Sequence, residues 1–453
     1  MQRKALSPIF VSLMAVLFSF NLHAATPDDL EKAIQFKVEK YQLKNGLTVL
    51  LHQDPSIPAV SVQTWFRVGS KDELPGRTGL AHFFEHMMFK GTKKFGVDTW
   101  GKFLNSRGAE MNAFTSNDYT GYYVNIPNEN MELVLQIESD RMRNLTLDPG
   151  DVNKEREVVK EERRMRYDDS IEGGMREKMV ELMFTELPYK WLPIGSMVDL
   201  NAASMDDMTK FYKTYYSPGN AVLVLAGSFD PEAAKKLIER YYAKLPKEEI
   251  SRPTVKVEPP QTKERRTTIE REAQSGSVAV GYRLPDLKNK DHYALDLLSI
   301  ILGQGQSSRL YKQMVYKSEL ALRAASYSWG QTLAGQFMVD ATLKPTVSPD
   351  RALSLMEAEI RNLREKTVTQ KELGKARNLF MKDYVDGLKR VAGRARMLAS
   401  YEILFGDYSR IFSDLKEYQS VTPADLKRVA SLYLKPNQRN IVIVKPRKAG
   451  GKT

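Results

Sequence analysis

Five histidines and no cysteine leave this 453-residue chain few groups for metal binding or acid–base chemistry. Two of the five stand four apart in His82-Phe83-Phe84-Glu85-His86. On a helix, positions i and i+4 share a face, so both imidazoles can grip one ion. Glu85, one residue before the second imidazole, projects near that face and can take a proton from water at the ion. A catalytic zinc needs three protein ligands and one open position. His52 and His292 have no partner at ligand spacing, which turns attention to the acidic segment Glu155-Arg-Glu-Val-Val-Lys-Glu-Glu-Arg163. Glu155 and Glu162 lie two helical turns apart and share a face, whereas Glu157 and Glu161 point elsewhere. By itself this is a solvated mixed-charge helix. Beside an incomplete metal site it becomes the best source of a third ligand. Without cysteine there is no disulfide scaffold, no Cys-based zinc or iron–sulfur site, and no thiol nucleophile.

The secondary structure around these residues is readable in outline. Gly79-Leu80 leads into the histidine helix, Met87-Met88-Phe89 continues it, and Gly91 ends it. Candidate strands run over Leu47 to Leu51, Ala59 to Val68 and Ser277 to Tyr282, with Asn45-Gly46 as a hairpin turn. A longer regularity organises the chain. Ser204-Met-Asp-Asp-Met-Thr-Lys-Phe-Tyr-Lys-Thr-Tyr-Tyr-Ser-Pro218 aligns without a gap on Thr422-Pro-Ala-Asp-Leu-Lys-Arg-Val-Ala-Ser-Leu-Tyr-Leu-Lys-Pro436, an offset of 218 residues. Each copy opens with a hydroxyl cap and an acid three residues on, Asp207 or Asp425. Each closes at a proline and runs into an apolar strand, Ala221 to Ala226 or Asn440 to Val444. Strands grouped before helices in each half predict two tandem homologous α+β domains. We place them at residues 25–246 and 264–447, joined by a proline-bearing linker at 247–263 and followed by a basic tail at 448–453.

Residues 1–24 carry Arg3 and Lys4, the uncharged run Ile9 to Phe20, and Leu22-His23-Ala24. This pattern predicts a secretory signal peptide and a periplasmic mature protein. The apolar core is too short to span a bilayer, which needs about 20 residues, and no later stretch is long enough. The formal charge of +12 is interleaved with acids, as in Lys263-Glu264-Arg265-Arg266, and forms no basic–aromatic stripe, so nucleic acid is not an expected partner.

H-x-x-E-H inverts the H-E-x-x-H zinc-protease motif. Followed, with 75 residues between His86 and it, by Glu162 in a helix that also carries Glu155, the motif resembles the pitrilysin-type metallopeptidases, in their processing-peptidase-like branch. The resemblance covers nearly the whole mature chain and implies two α+β halves paired like a clam around the active site. It implies one zinc per chain held by His82, His86 and Glu162, Glu85 as the general base, and Glu155 as a catalytic helper beside them. The segment Gly108 to Tyr123 resembles the family's edge strand, where Asn112 and Ala113 meet the substrate backbone. Gly303-Gln-Gly305-Gln-Ser-Ser-Arg-Leu-Tyr311 resembles its glycine-rich stretch. The Arg and Tyr that usually follow are replaced here by Val315 and Leu322, which cannot donate a hydrogen bond. Tyr316 and Arg323 lie one position later with the order reversed. The expectation is therefore an endopeptidase acting as the zinc-bearing subunit of a heterodimer whose related partner supplies that pair, or otherwise a homodimer. Two other readings compete: a non-catalytic structural subunit, and an anionic-surface adaptor suggested by the positive charge.

Overall fold

A computed structural model describes residues 34–96 and 99–447. The signal peptide and basic tail expected from the sequence lie outside them. The described residues form two sheets. The first contains β1 (Glu39–Gln42), β2 (Thr48–Gln53), β3 (Ala59–Phe66), β4 (Glu110–Thr115), β5 (Thr120–Pro127) and β6 (Ala221–Gly227), in the order β1-β2-β6-β3-β5-β4. The second contains β7 (Arg265–Glu272), β8 (Ser277–Leu284), β9 (Ala321–Trp329), β10 (Gly335–Leu343) and β11 (Asn440–Arg447), in the order β7-β11-β8-β10-β9.

Laying β2, β6, β3, β5 and β4 onto β7, β11, β8, β10 and β9 reproduces every neighbour. The first pair is parallel in each sheet and the other three are antiparallel. The repeat read from the sequence is visible in the caps. Ser204 and Asp207 form a capping box on the helix Met205–Tyr215, and Thr422 and Asp425 form its counterpart on Pro423–Tyr433. A single turn at Pro218–Asn220 or Pro436–Gln438 then delivers the chain into β6 or β11. The hairpin at Asn45-Gly46 joins β1 to β2, with Gln42 opposite Thr48.

The halves exchange helices. Along β6, Leu223 and Leu225 pack with the first half's own helices, while Val222, Val224 and Ala226 face Ala395, Leu398 and Ala399. Those three belong to the helix Val391–Phe405 of the second half. Conversely, Val442 and Val444 of β11 join the first half's core beside Met179 and Met183, on the helix Ile171–Met183. Ile441 and Ile443 face the second half's own helices. Both strands are thus covered on both faces, which is why they read as unbroken apolar runs. Residues 247–263 contain no helix or strand but are not free of either half. The Glu258 carboxylate accepts from the amides of Thr185, Glu186 and Leu187 and pairs with Arg283 at 2.9 Å. Among the described residues, no helix is long and apolar enough to cross a membrane.

Candidate metal centre

The histidine helix runs over Leu80–Met87 and starts at Gly79, whose φ is 94°. A Cβ there would lie 2.9 Å from the carbonyl oxygen of Ile194, so only glycine fits the entry. The buried Glu73 carboxylate accepts from the amides of Gly79 (2.9 Å) and Ala81 (2.8 Å), closing the positive end of the helix. Phe83, Phe84 and Met87 anchor one face in the core, turning His82, Glu85 and His86 to the other. The helix stops at Met87, short of the Phe89 expected from its apolar run. The amides of Phe89 and Lys90 bond back to His86 and Met87 in tight turns, and Gly91 follows at φ 91°. This tightening lets Lys90 reach across to Glu155.

The acidic helix spans Pro149–Arg163, capped by Asp148, which accepts from the amides of Gly150 and Asp151. Its buried stripe is Val152, Glu155, Val159 and Arg163. Glu155 and Glu162 both turn toward the histidines, while Glu157 and Glu161 are exposed.

One ligand atom each from His82, His86 and Glu162 lie within 4.8 Å of one another. Glu162 Oε2 is 3.2 Å from His86 Nε2 and 3.6 Å from His82 Nε2. Its other oxygen, Oε1, is held by Arg166 at 2.6 Å. Behind the ligands, Glu155 Oε1 lies 2.9 Å from His86 Nδ1 and Oε2 lies 2.6 Å from Lys90. A carboxylate only accepts, so Nδ1 carries the hydrogen and Nε2 is left for an ion. Two imidazole nitrogens and one carboxylate oxygen at this spacing suit a zinc ion with an open position. Burial, with help from the neighbouring His86, pulls His82 down to about 4 and keeps it neutral. Burial pulls His86 down too, but its bonds to Glu155 and Glu162 outweigh that and raise it to about 9. An ion entering the site therefore displaces a proton from His86.

Glu85 stands beside this cluster, its carboxyl raised by burial against the opposing hydrogen bond from Thr115. Thr115 Oγ1 donates to Glu85 Oε2 at 2.6 Å. Thr115 ends β4, the edge strand that also carries Asn112 and Ala113, paired with Tyr123 and Tyr122 on its inner side. Among the described residues no strand pairs with the other side of β4, the arrangement that β-augmentation by an extended peptide uses.

Residues 48–189 match the family described as insulinase (peptidase family M16), and residues 202–380 match the peptidase M16 inactive domain. The zinc protease PqqE of Helicobacter pylori is 32% identical over 419 residues, covering 90% of this chain and 93% of that protein. The chain belongs to peptidase family M16. The crystal structure of a protease from Helicobacter pylori superposes on this M16 chain with a TM-score of 0.87 at 30% identity, covering 91% of this chain and all of that one. The periplasmic protease PqqL of Escherichia coli shares the fold, with a TM-score of 0.74 at 20% identity. The match covers 91% of this chain but 48% of PqqL. The pitrilysin-type resemblance and the paired α+β architecture thus hold for the chain.

Other expected residues stand apart from the cluster. His52 is buried, with Nδ1 2.9 Å from the carbonyl of Lys37. His292 is buried against the carbonyl of Pro285. Val315 packs partly against the second core, and Leu322 is 57% exposed at the start of β9. Tyr316 is 76% exposed, and Arg323 is tied to Asp340 and Tyr327. Sequence reasoning gave no role to Thr115, Lys90 or Arg166. Lys90 and Arg166 each follow a ligand by four residues, a helical-neighbour spacing that could have flagged both. Nothing local marks Thr115, whose partner lies 30 residues away.

Proposed function

We propose that this chain is a zinc-dependent endopeptidase hydrolysing extended peptides or unfolded polypeptides, exported to the periplasm after removal of residues 1–24. The observation that carries the reading is the convergence of His82, His86 and Glu162 within 4.8 Å, with Glu85 beside them. His82, His86 and Glu162 would hold a zinc ion, which when bound would supply Lewis acidity toward water and toward the scissile carbonyl. Glu85 takes the proton of the attacking water and returns it to the leaving amine. Its raised carboxyl moves toward the neutral range where such transfer is most effective. Glu155 acts as a positioning residue that keeps Nε2 of His86 directed at the ligand cluster, and Arg166 keeps Glu162 from turning away. An extended peptide adds to β4 as a further strand, its backbone met by Asn112 and Ala113, so binding makes modest demands on its sequence.

The absence of donors at Val315 and Leu322 supports a split site. Losing one transition-state donor costs about 10²–10³ in turnover, and two are missing. A related chain carrying Arg and Tyr would complete the site as a heterodimer. PqqL, about twice as long and of the same fold, is consistent with pairing of such units.

Zinc content and cleavage of a quenched peptide library, by the chain alone and with any co-purifying relative, test the reading. About one zinc per chain is expected, with hydrolysis abolished by Glu85→Gln while zinc stays bound. Activity surviving in Glu85→Gln would remove the base. Full activity of the chain alone would remove the heterodimer. Absence of zinc would favour a non-catalytic subunit.

A further inference from the structure

The carboxylate assigned as general base has one hydrogen-bond partner among the described residues, and it lies on the strand that would receive the substrate. Thr115 Oγ1 donates to Glu85 Oε2 at 2.6 Å, leaving Oε1 as the oxygen free for a water molecule. Thr115 is well suited to hold a direction. It is β-branched, so its side chain has few rotamers. It is paired with Thr120 at the last rung of the β4–β5 ladder.

The turn beyond it is pinned from several sides. The Ser116 amide bonds to the Tyr119 carbonyl at 2.8 Å, and Ser116 Oγ accepts from the amides of Asp118 (3.1 Å) and Tyr119 (3.0 Å). The amides of Ser70 and Lys71 donate to the carbonyls of Ser116 and Asn117. Asp118 accepts from Tyr189 at 2.6 Å and from the hydroxyl and amide of Thr332, in the second half of the chain. Asn117 accepts from Gln331 at 3.0 Å. The hydroxyl that touches Glu85 therefore sits at the end of a braced turn, two residues from a contact between the halves.

We propose that Thr115 is a positioning residue for the hydrolytic reaction, fixing the Glu85 carboxylate by its hydroxyl so that one oxygen is aimed at the attacking water when a peptide lies along β4. This rests on Glu85 being the base. The donor and the peptide-binding backbone share one strand, so a peptide seated on β4 is automatically in register with the base. Misplacement of a catalytic group by about 1 Å costs up to about 10²-fold in rate, so a single hydroxyl can matter.

The test compares Thr115→Val, which keeps the shape and removes the donor, with Thr115→Ser, which keeps the donor. It uses a quenched unstructured peptide and whichever preparation is active, the chain alone or with its partner. Glu85→Gln runs alongside, and zinc is measured in every variant. Thr115→Val is expected to lower kcat by about 10- to 100-fold, with KM and zinc content near wild type, and Thr115→Ser to recover most of it. Crystal structures of zinc-loaded wild type and Thr115→Val give a readout independent of turnover: Glu85 in one rotamer in the former and reoriented or split in the latter. An unchanged kcat or an unmoved Glu85 in Thr115→Val, with Glu85→Gln inactive, overturns the proposal and leaves the base in place. A change confined to KM assigns Thr115 to peptide binding and overturns it too. Activity in Glu85→Gln instead removes the reading beneath it.

Discussion

Replacing Glu155 by Gln asks how much of the grip on a metal resides behind the ligands. The Glu155 carboxylate accepts from His86 Nδ1 at 2.9 Å and from Lys90 Nζ at 2.6 Å, with its side chain only 8% exposed. Both donors are cationic or hydrogen-bearing, and a glutamine has one accepting oxygen where the carboxylate had two. Either His86 or Lys90 must then face an amide N–H, and one charge-assisted bond worth about 1.5–3 kcal/mol is lost. Where the loss falls on His86, its ring is no longer held with Nε2 toward the cluster, and zinc affinity drops by about 10- to 100-fold. That range equals about 1.4–2.8 kcal/mol, in agreement with the hydrogen-bond figure. The assay is zinc competition against a chromogenic chelator at fixed pH, with melting curves in excess chelator to separate loss of fold from loss of metal. Lys90→Met serves as the control, because it leaves the Glu155–His86 bond in place and should weaken zinc less than Glu155→Gln does. Zinc affinity of Glu155→Gln within twofold of wild type, with the fold intact, would refute the argument. It would make Glu155 an anchor for Lys90 and nothing more.

Two further predictions concern the frame around the site. Gly303→Ala should destabilise the second half by about 1–3 kcal/mol, read as a lowered urea midpoint: the added Cβ would meet the Ser326 amide and lie 2.5 Å from the carbonyl carbon of Ala325, both backbone of β9 that cannot swing aside. A midpoint equal to wild type would show that β9 yields. Residues 34–246 and 264–447 expressed separately should each aggregate, because one bares Trp65, Val222 and Val224 and the other bares Val442 and Val444, while co-expression should return a soluble pair; a soluble, cooperatively melting single half would contradict this.

Much of this is legible in the sequence. A four-residue spacing rule on a helix joined His82 to His86, and a seven-residue rule joined Glu155 to Glu162, because both follow from helical geometry alone. The repeat at an offset of 218 was legible because caps and prolines recur where a helix must start and stop. What stayed hidden depends on registers between distant segments. No local pattern says that Thr115 of β4 meets Glu85 of a helix, since a one-residue slip of the strand would turn that hydroxyl to the other face. The early stop of the histidine helix was hidden for a related reason: Met88 and Phe89 suit a helix, and nothing local shows that Lys90 turns back to pair with Glu155.

The helix exchange was hidden in a more instructive way. An apolar run such as Ala221 to Ala226 says that both faces are covered, but not by whom, because an aliphatic face packs equally well on a helix of either half. The duplication suggested two self-sufficient units, and the structure has each sheet completed by the other unit's helix. That arrangement bears on the site. The turn carrying Thr115 is braced through Asp118 and Asn117 by residues 331 and 332 of the second half, and the outer face of the sheet that supports it is covered by Val391–Phe405. Every side chain proposed for metal binding and proton transfer comes from the first half, yet the strand that aligns peptide and base is held in place by the second. The second half, which lacks a metal site of its own among the described residues, is on this argument part of what makes the first half's geometry rigid enough for catalysis.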